Sequence, residues 1–148
     1  MRLVFPIQAK KEIGRELLEY REFRSMNTFS NHKDFGKWGE AIALDYLIAR
    51  GYQFVAANYR STYGEIDLIC QDGPVWCFIE VKTRSNSKYG KGYYSVTPQK
   101  LKHLLNTAKM YLVSHRLYDV PARVDIVSID FISETEYQVE LIRNVSAK

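Results

Sequence analysis

The stretch that decides the fold runs from Gly64 to Lys82 and reads GEIDLICQDGPVWCFIEVK. Two apolar runs, Gly64–Cys70 and Val75–Lys82, flank the turn sequence QDGP. Apolar runs separated by a short turn rich in Gly and Pro are typical of a hairpin, so we predict two neighbouring antiparallel strands. In the second run, the alternation of side chains places Glu80 and Lys82 on the same face of the strand.

Elements on both sides of this hairpin follow from periodicity and capping signals. Apolar residues recur at helical spacing after Asp34, a predicted N-cap, and the helix is predicted to end before Gly51 at its C′ position. A strand over Tyr52–Tyr59 follows. The element order α-β-β-β-α-β-β predicts a single mixed α/β domain.

The second half of the chain supplies the last three of these elements. Thr97 and Pro98 predict the N-cap and first residue of a second helix, whose apolar stripe includes Leu104 and Ala108. Two further strands are predicted near Arg123–Phe131 and Glu136–Arg143, and the segment between Thr83 and Val96 is predicted to be a loop.

Length and composition narrow the class of protein. The 148 residues suit one domain, and no run of about 18 apolar residues exists to span a membrane. Two cysteines cannot form a disulfide scaffold, so we expect a reducing cytoplasm. We interpret residues 1–33 as an N-terminal arm and residues 34–148 as the domain. The first 25 residues are either a genuine part of the arm or a gene-model extension that precedes a true start at Met26.

The net charge of +4 is unevenly distributed. From Val81 to Tyr118 there are eight Lys and Arg residues and no Asp or Glu, with Tyr89, Tyr93 and Tyr94 among the first of them. A basic and aromatic segment attracts phosphate and stacks on unpaired bases. The alternative interpretation is an ordinary solvated loop and helix face.

Asp67, Glu80 and Lys82 form the pattern that indicates chemistry. Two carboxylates on adjacent strands offer hard oxygen ligands suited to Mg²⁺ or Mn²⁺. Such a cation polarises a phosphoryl oxygen and lowers the pKa of water, and a nearby lysine stabilises developing negative charge. Glu40, on the first predicted helix, is either a further ligand or a surface residue.

Ordered motifs from roughly Asp34 to Arg143 resemble the YraN-type family of uncharacterised bacterial proteins. They are Gly39-Glu40, Asn58-Tyr59-Arg60, Tyr63–Ile69, Phe78–Arg84 and Val96-Thr97-x-x-Lys100. That family resembles the PD-(D/E)xK nucleases and the archaeal Holliday-junction resolvases. The resemblance implies an α/β fold with a restriction-endonuclease-like mixed β-sheet core flanked by helices.

The resemblance also implies roles for individual residues. Asp67, Glu80 and Lys82 match the D…ExK motif, and Glu40 matches a helical glutamate near the metal. The implied catalytic residues are therefore Glu40, Asp67, Glu80 and Lys82, and the implied ligands of Mg²⁺ or Mn²⁺ are Asp67, Glu80 and Glu40. Lys100 fits the late basic position of the pattern and is an implied nucleic-acid-binding residue. Ile66 replaces the proline that usually precedes the motif aspartate, as is normal in the resolvase-like branch.

Residues around this cluster are candidates for nucleic-acid contact. Arg60 and Arg84 suit phosphate contacts, which position a substrate without reading its sequence. Tyr63 is interpreted either as a base-stacking residue or as a core or rim residue. Glu65 is interpreted as a structural ion-pair partner, with metal or phosphate binding as the alternative.

Two residue pairs are interpreted as structural. Cys70 and Cys77 are expected in the core rather than at a metal. Arg123 and Asp125 are expected to form a salt bridge.

The function expected from the sequence is that of a metal-dependent endonuclease. A chain without a separate recognition domain favours branched, flapped or single-stranded DNA over a specific duplex sequence, and small resolvases of this kind act as homodimers. The alternatives are a non-catalytic nucleic-acid-binding module with the same fold and a structural protein with a buried ion-pair network.

Overall fold

Two helices and five strands form the part of the chain that a computed structural model describes, which is residues 32–84, 96–132 and 136–145. In chain order these elements are α1 (His32–Ala49), β1 (Gln53–Ser61), β2 (Gly64–Asp72), β3 (Val75–Arg84), α2 (Pro98–Ser114), β4 (Ala122–Phe131) and β5 (Tyr137–Ile142). The strands form one mixed sheet in the order β1-β2-β3-β4-β5. The predicted order of elements and the restriction-endonuclease-like mixed sheet with flanking helices are confirmed.

The predicted hairpin is the centre of this sheet. β2 and β3 are antiparallel, with Cys70 opposite Cys77 and Asp72 opposite Val75, so that Gly73 and Pro74 form the turn. β3 and β4 are parallel, and α2 makes the connection between them. The other neighbouring strands are antiparallel, so α2 is the crossover that a parallel pair requires.

Each helix covers one face of the sheet. α1 buries five residues against strand residues such as Leu68, Ile79 and Val127. The five helix residues are Ala41, Ile42, Ala43, Leu44 and Leu47. On the other face, α2 packs with residues that include Ile69, Phe78 and Val124. The two apolar layers hold the sheet in a fixed position, which determines where its polar side chains emerge.

Two of the three predicted helix ends are confirmed. Gly51 has a φ of 89°, and Tyr52 donates a backbone hydrogen bond to the Leu47 carbonyl at 3.1 Å, which completes a Schellman motif. Thr97 caps α2 by accepting from the Lys100 N–H, and Pro98 is its first residue. The predicted N-cap Asp34 is wrong, since α1 already begins at His32 and Asp34 lies in its first turn.

The α2 face that meets the sheet is rotated relative to the predicted leucine stripe. Leu104 and Ala108 are buried as predicted, but Thr107 and Tyr111 are buried with them, whereas Leu105 and Leu112 are only partly covered. The Tyr111 ring packs edge-on against two other aromatic rings, and these edge contacts compensate for its low helix propensity. Aromatic packing in the tertiary structure therefore decides this rotation.

A buried ion-pair network lies where α1 ends. The Arg123 guanidinium donates to the fully buried Asp125 carboxylate at 3.0 Å and to Asp72 at 2.9 Å. The predicted salt bridge of Arg123 with Asp125 is confirmed, and Cys70 and Cys77 are free, buried core residues.

Several predictions concern segment limits. Thr83 and Arg84 belong to β3 and not to the following loop, so that part of the loop prediction is wrong. Residues 1–31 and the tyrosines Tyr89, Tyr93 and Tyr94 lie outside the described residues. Neither of the two described helices is long and apolar enough to cross a membrane.

Gly39 allows α1 to approach the sheet closely. A Cβ atom at this position would collide with the Thr83 side chain, whereas nothing lies within 4 Å of a Cβ atom at Gly36, three residues earlier on the same helix. Because Glu40 follows Gly39, this close approach also sets how near Glu40 comes to the sheet.

We expect Gly39→Ala to lower the free energy of unfolding by about 1–3 kcal/mol, because the added methyl group forces α1 away from Thr83. The matched control Gly36→Ala should leave stability unchanged or raise it by up to about 1 kcal/mol, since alanine favours the helix. Urea unfolding of both variants measures the difference. Equal stability of the two variants would show that the close approach is not required.

Candidate active site

The candidate site lies where β2 and β3 separate. The paired register of these strands ends with Leu68 opposite Ile79. Beyond this pair, the Asp67 carboxylate replaces a backbone acceptor, since its Oδ2 accepts a hydrogen bond from the Val81 backbone N–H at 2.8 Å. A side chain thus satisfies a backbone donor that the strand ladder leaves unpaired.

The strand also changes its packing at Asp67. Leu68 and Cys70 belong to the core under α1, while Ile66 packs in the core under α2. The strand therefore does not place Ile66 on the same face as Leu68 and Cys70. The interruption leaves Asp67 between the two layers, partly buried at the opening between the strands.

This environment penalises the charged form of Asp67. Burial, followed by the negative charges of Glu80 and then of Glu40 and Glu65, raises the pKa of Asp67 to about 8, although the Val81 hydrogen bond acts in the opposite direction. The carboxyl group therefore holds a proton near neutral pH unless a cation compensates its charge. Strongly perturbed carboxyl groups of this kind cluster at functional sites.

Two lysines pair with the Glu80 carboxylate. Its side chain is only 7 % exposed, and the ammonium groups of Lys82 and Lys100 each lie 3.5 Å from its Oε1 atom. Lys82 comes from the same face of β3, as alternation predicted, and Lys100 comes from the first turn of α2. The sequence resemblance implied nucleic-acid binding for Lys100 and did not indicate that it reaches Glu80.

Glu40 lies near this cluster. It is half-buried on α1, and its charge is close enough to contribute to the raised pKa of Asp67. The role of Glu40 as a metal ligand stays a prediction.

A metal site remains a prediction. Within residues 32–84, 96–132 and 136–145, no three His, Cys, Asp or Glu side chains are arranged so that they hold an ion as they stand. Asp67 accepts the Val81 hydrogen bond with its Oδ2 atom, and Glu80 contacts Lys82 and Lys100 with its Oε1 atom. Mg²⁺ is commonly bound by one or two carboxylates while it keeps several waters, so the chemistry of this pair suits such an ion.

The other predicted binding residues lie around the site in different settings. Arg60, with a side chain 78 % exposed, pairs with Glu65 across β1 and β2 at 3.3 Å, so the predicted structural ion pair of Glu65 is confirmed. Tyr63 is 47 % exposed in the β1–β2 turn, which excludes the core interpretation. Arg84 is half-buried at the end of β3, one alternation beyond Lys82.

Comparison with other proteins identifies the family of this chain. A profile described as uncharacterised protein family UPF0102 matches residues 39–129. The chain belongs to the UPF0102 family. This confirms the resemblance to the YraN-type family, and the matched segment includes all eight predicted site residues.

Individual UPF0102 proteins cover most of the domain. One from Dehalococcoides mccartyi is 44 % identical over 114 residues, which are 77 % of this chain and 93 % of that protein. Another from Shewanella woodyi is 42 % identical over 98 residues, covering 66 % of this chain and 83 % of its own length. A third, from Geotalea uraniireducens, is 43 % identical over 100 residues, or 68 % of this chain and 79 % of that protein.

The raised pKa of Asp67 predicts how stability depends on pH in this UPF0102 protein. A carboxyl group whose folded-state pKa is raised stabilises the fold at low pH, and this contribution is lost as the pH rises from about 4 to about 8. Asp67→Asn keeps an acceptor for Val81 and removes the titration. We therefore expect Asp67→Asn to be more stable than the unaltered protein at pH 8 by roughly 1–3 kcal/mol without metal, and the difference to vanish near pH 4.

Urea unfolding in EDTA across this pH range tests the expectation. Asp119→Asn, which changes an exposed carboxylate by the same charge, should give no such pH-dependent gain. A difference between Asp67→Asn and the unaltered protein that stays constant with pH would contradict the proposed environment of Asp67.

Proposed function

We propose that this UPF0102 protein is a Mg²⁺- or Mn²⁺-dependent endonuclease that hydrolyses DNA phosphodiester bonds. The observation that carries the proposal is the meeting of Asp67, Glu80 and Lys82 at the opening between β2 and β3. Two carboxylates and a lysine in one partly buried place are the groups that metal-assisted hydrolysis requires.

The electrostatics of the carboxylates favour a bound cation. Burial and the acidic neighbours of Asp67 disfavour its charged form, and Glu80 is almost fully buried. Asp67 and Glu80, with Glu40 beside them, are the residues that would hold the ion. A divalent cation there would polarise a phosphoryl oxygen and lower the pKa of an attacking water.

The protein's own groups supply the rest of the reaction. The Val81 N–H fixes the orientation of the Asp67 carboxylate through a 2.8 Å hydrogen bond. Lys82, held beside Glu80, places a positive charge where a phosphate gains negative charge in the transition state. Lys100 adds a second positive charge from α2, and it can move from Glu80 to a phosphate oxygen when the carboxylate is otherwise compensated.

The proposed substrate is branched, flapped or single-stranded DNA. We propose that the protein acts in the cytoplasm and as a homodimer. Support for the substrate is the concentration of basic residues without acids from Val81 to Tyr118, which begins at Lys82 itself. The free, buried Cys70 and Cys77 are compatible with a reducing compartment.

A second candidate function is non-catalytic nucleic-acid binding on the same fold. The observation that favours it is the pairing of Glu80 with two lysines, which satisfies this carboxylate without any metal. The two candidates differ in a simple way, because a binding module needs no cation and cuts nothing.

We expect the purified protein to nick DNA in the presence of Mn²⁺ or Mg²⁺ and to stop when EDTA is added. Asp67→Asn and Lys82→Ala should each reduce the rate by about 100-fold or more, because the first removes a charged ligand of the proposed metal ion and the second removes the positive charge beside the reacting phosphate. Arg50→Ala, which removes an exposed positive charge just after α1 and outside the Val81–Tyr118 segment, is the matched control and should retain most of the activity. The assay compares single strand, duplex, flap, fork and four-way junction.

Full activity of Asp67→Asn would rule out the assigned site. DNA binding that persists in EDTA without any strand scission would favour the binding module.

Metal binding is measurable apart from cleavage. At pH 7.5, Mn²⁺ should raise the melting temperature of the unaltered protein, because a ligand at 100 times its dissociation constant adds about 2.7 kcal/mol of stability. Asp67→Asn and Glu80→Gln should lose this shift, while Arg60→Gln should keep it because Arg60 pairs with Glu65 at the exposed edge. An unchanged shift in both carboxylate variants would place the metal elsewhere.

A further inference from the structure

The β1–β2 turn is fastened to α2 beside the candidate site. The Tyr63 N–H donates to the Ser61 hydroxyl at 3.0 Å, and that hydroxyl donates to the Thr107 hydroxyl at 3.4 Å. Thr107 is fully buried and in turn donates to the His103 carbonyl at 2.7 Å. This relay fixes the turn, and with it Tyr63, on one side of α2.

Gly64 brings the turn into contact with α2. A Cβ atom at Gly64 would lie 3.7 Å from the His103 Cβ and 3.5 Å from the Thr107 hydroxyl, and Gly64 has a φ of 147° that disfavours other residues. The exposed His103 side chain therefore starts next to the turn that carries Tyr63.

The same helix face leads to the candidate site. Lys100, His103 and Thr107 are three and four residues apart and so lie in one row along α2. Lys100 contacts Glu80, and Thr107 contacts the turn. His103 lies between these two contacts, so a surface runs from the Lys100 side chain, which reaches the buried Glu80, past the exposed His103 to Tyr63.

We propose that this surface, formed by Lys100, His103 and Tyr63 and called here the turn–helix surface, binds an unpaired DNA strand. Lys100 and His103 contact its phosphates, and Tyr63 stacks on one of its bases. The proposal deepens the proposed function, on which it rests, by assigning the unpaired strand of the proposed substrate to named residues and by giving the path by which it reaches Glu80 and Lys82.

The chemistry of the surface favours a single strand over a duplex. An exposed tyrosine at a tight turn offers a flat ring, and a base has a free face for it only when it is unstacked. α2 has no acidic residue from Pro98 to Ser114, so nothing on this helix repels a phosphate backbone. The relay through Ser61 and Thr107 orders the turn in advance, which lowers the entropic cost of binding.

The test uses the full chain in EDTA, where binding is separated from cleavage, and a fluorescent 20-nucleotide oligothymidylate. Tyr63→Ala should weaken binding by about 5- to 150-fold, the effect of one lost base stack, while Tyr63→Phe should stay close to the unaltered protein. His103→Ala should weaken binding by about threefold or more through a lost phosphate contact. Tyr118→Ala, which removes a 64 % exposed tyrosine beyond the other end of α2, is the matched control and should have no effect.

Three results would overturn the turn–helix surface. They are equal affinities of Tyr63→Ala and Tyr118→Ala, tighter binding of a 20-base-pair duplex than of the single strand, and tighter binding of an oligouridylate of the same length. The proposed function is judged separately. If the unaltered protein nicks DNA and Tyr63→Ala binds the oligonucleotide with unchanged affinity, only the turn–helix surface is refuted. If the affinity depends on Tyr63 but no nicking occurs, only the nuclease function is refuted.

Discussion

The separation of β2 from β3 at Asp67 is the constraint on which the rest of the site depends. Where the ladder ends, the Asp67 carboxylate replaces a backbone acceptor for Val81, so a charged group must lie in a partly buried place. Glu80 is brought to the same opening by the neighbouring strand. The two carboxylates repel each other there. The pKa of Asp67 is raised, so that it holds a proton near neutral pH, and two lysines pair with Glu80. A divalent cation would serve both at once.

The two helices turn this opening into a site with distinct sides. α1 approaches closely because Gly39 has no side chain, and it brings the negative charge of Glu40 toward Asp67. α2 approaches from the other face of the sheet and brings the positive charge of Lys100 to Glu80. Acidic groups therefore gather where a cation would bind, and basic and aromatic groups gather where a phosphate strand would lie. Under the proposed function, this contrast would orient a bound DNA strand relative to the opening.

Much of the fold was predictable because its signals are local. The Gly-Pro turn, the alternation of β3 and the Thr97-Pro98 cap each act within a few residues, and each prediction was confirmed. The rotation of α2 toward Tyr111 and the packing of Ile66 were not predictable, since each depends on contacts with residues distant in sequence. The site divides in the same way. Glu80 and Lys82 follow from strand alternation, whereas the contact of Lys100 with Glu80 needs α2 to cross the sheet.

By itself the sequence determined the elements, their order, the family and the identity of the charged residues, because periodicity, capping and motif spacing are properties of short segments. Only the tertiary structure decided which charges share an environment. The pKa of Asp67 depends on burial and on glutamates from two other elements together with its own neighbour Glu65. The position of His103 beside the Tyr63 turn likewise depends on a hydrogen-bonded relay between residues 46 positions apart. Such energies arise from distances in space, which no local pattern contains.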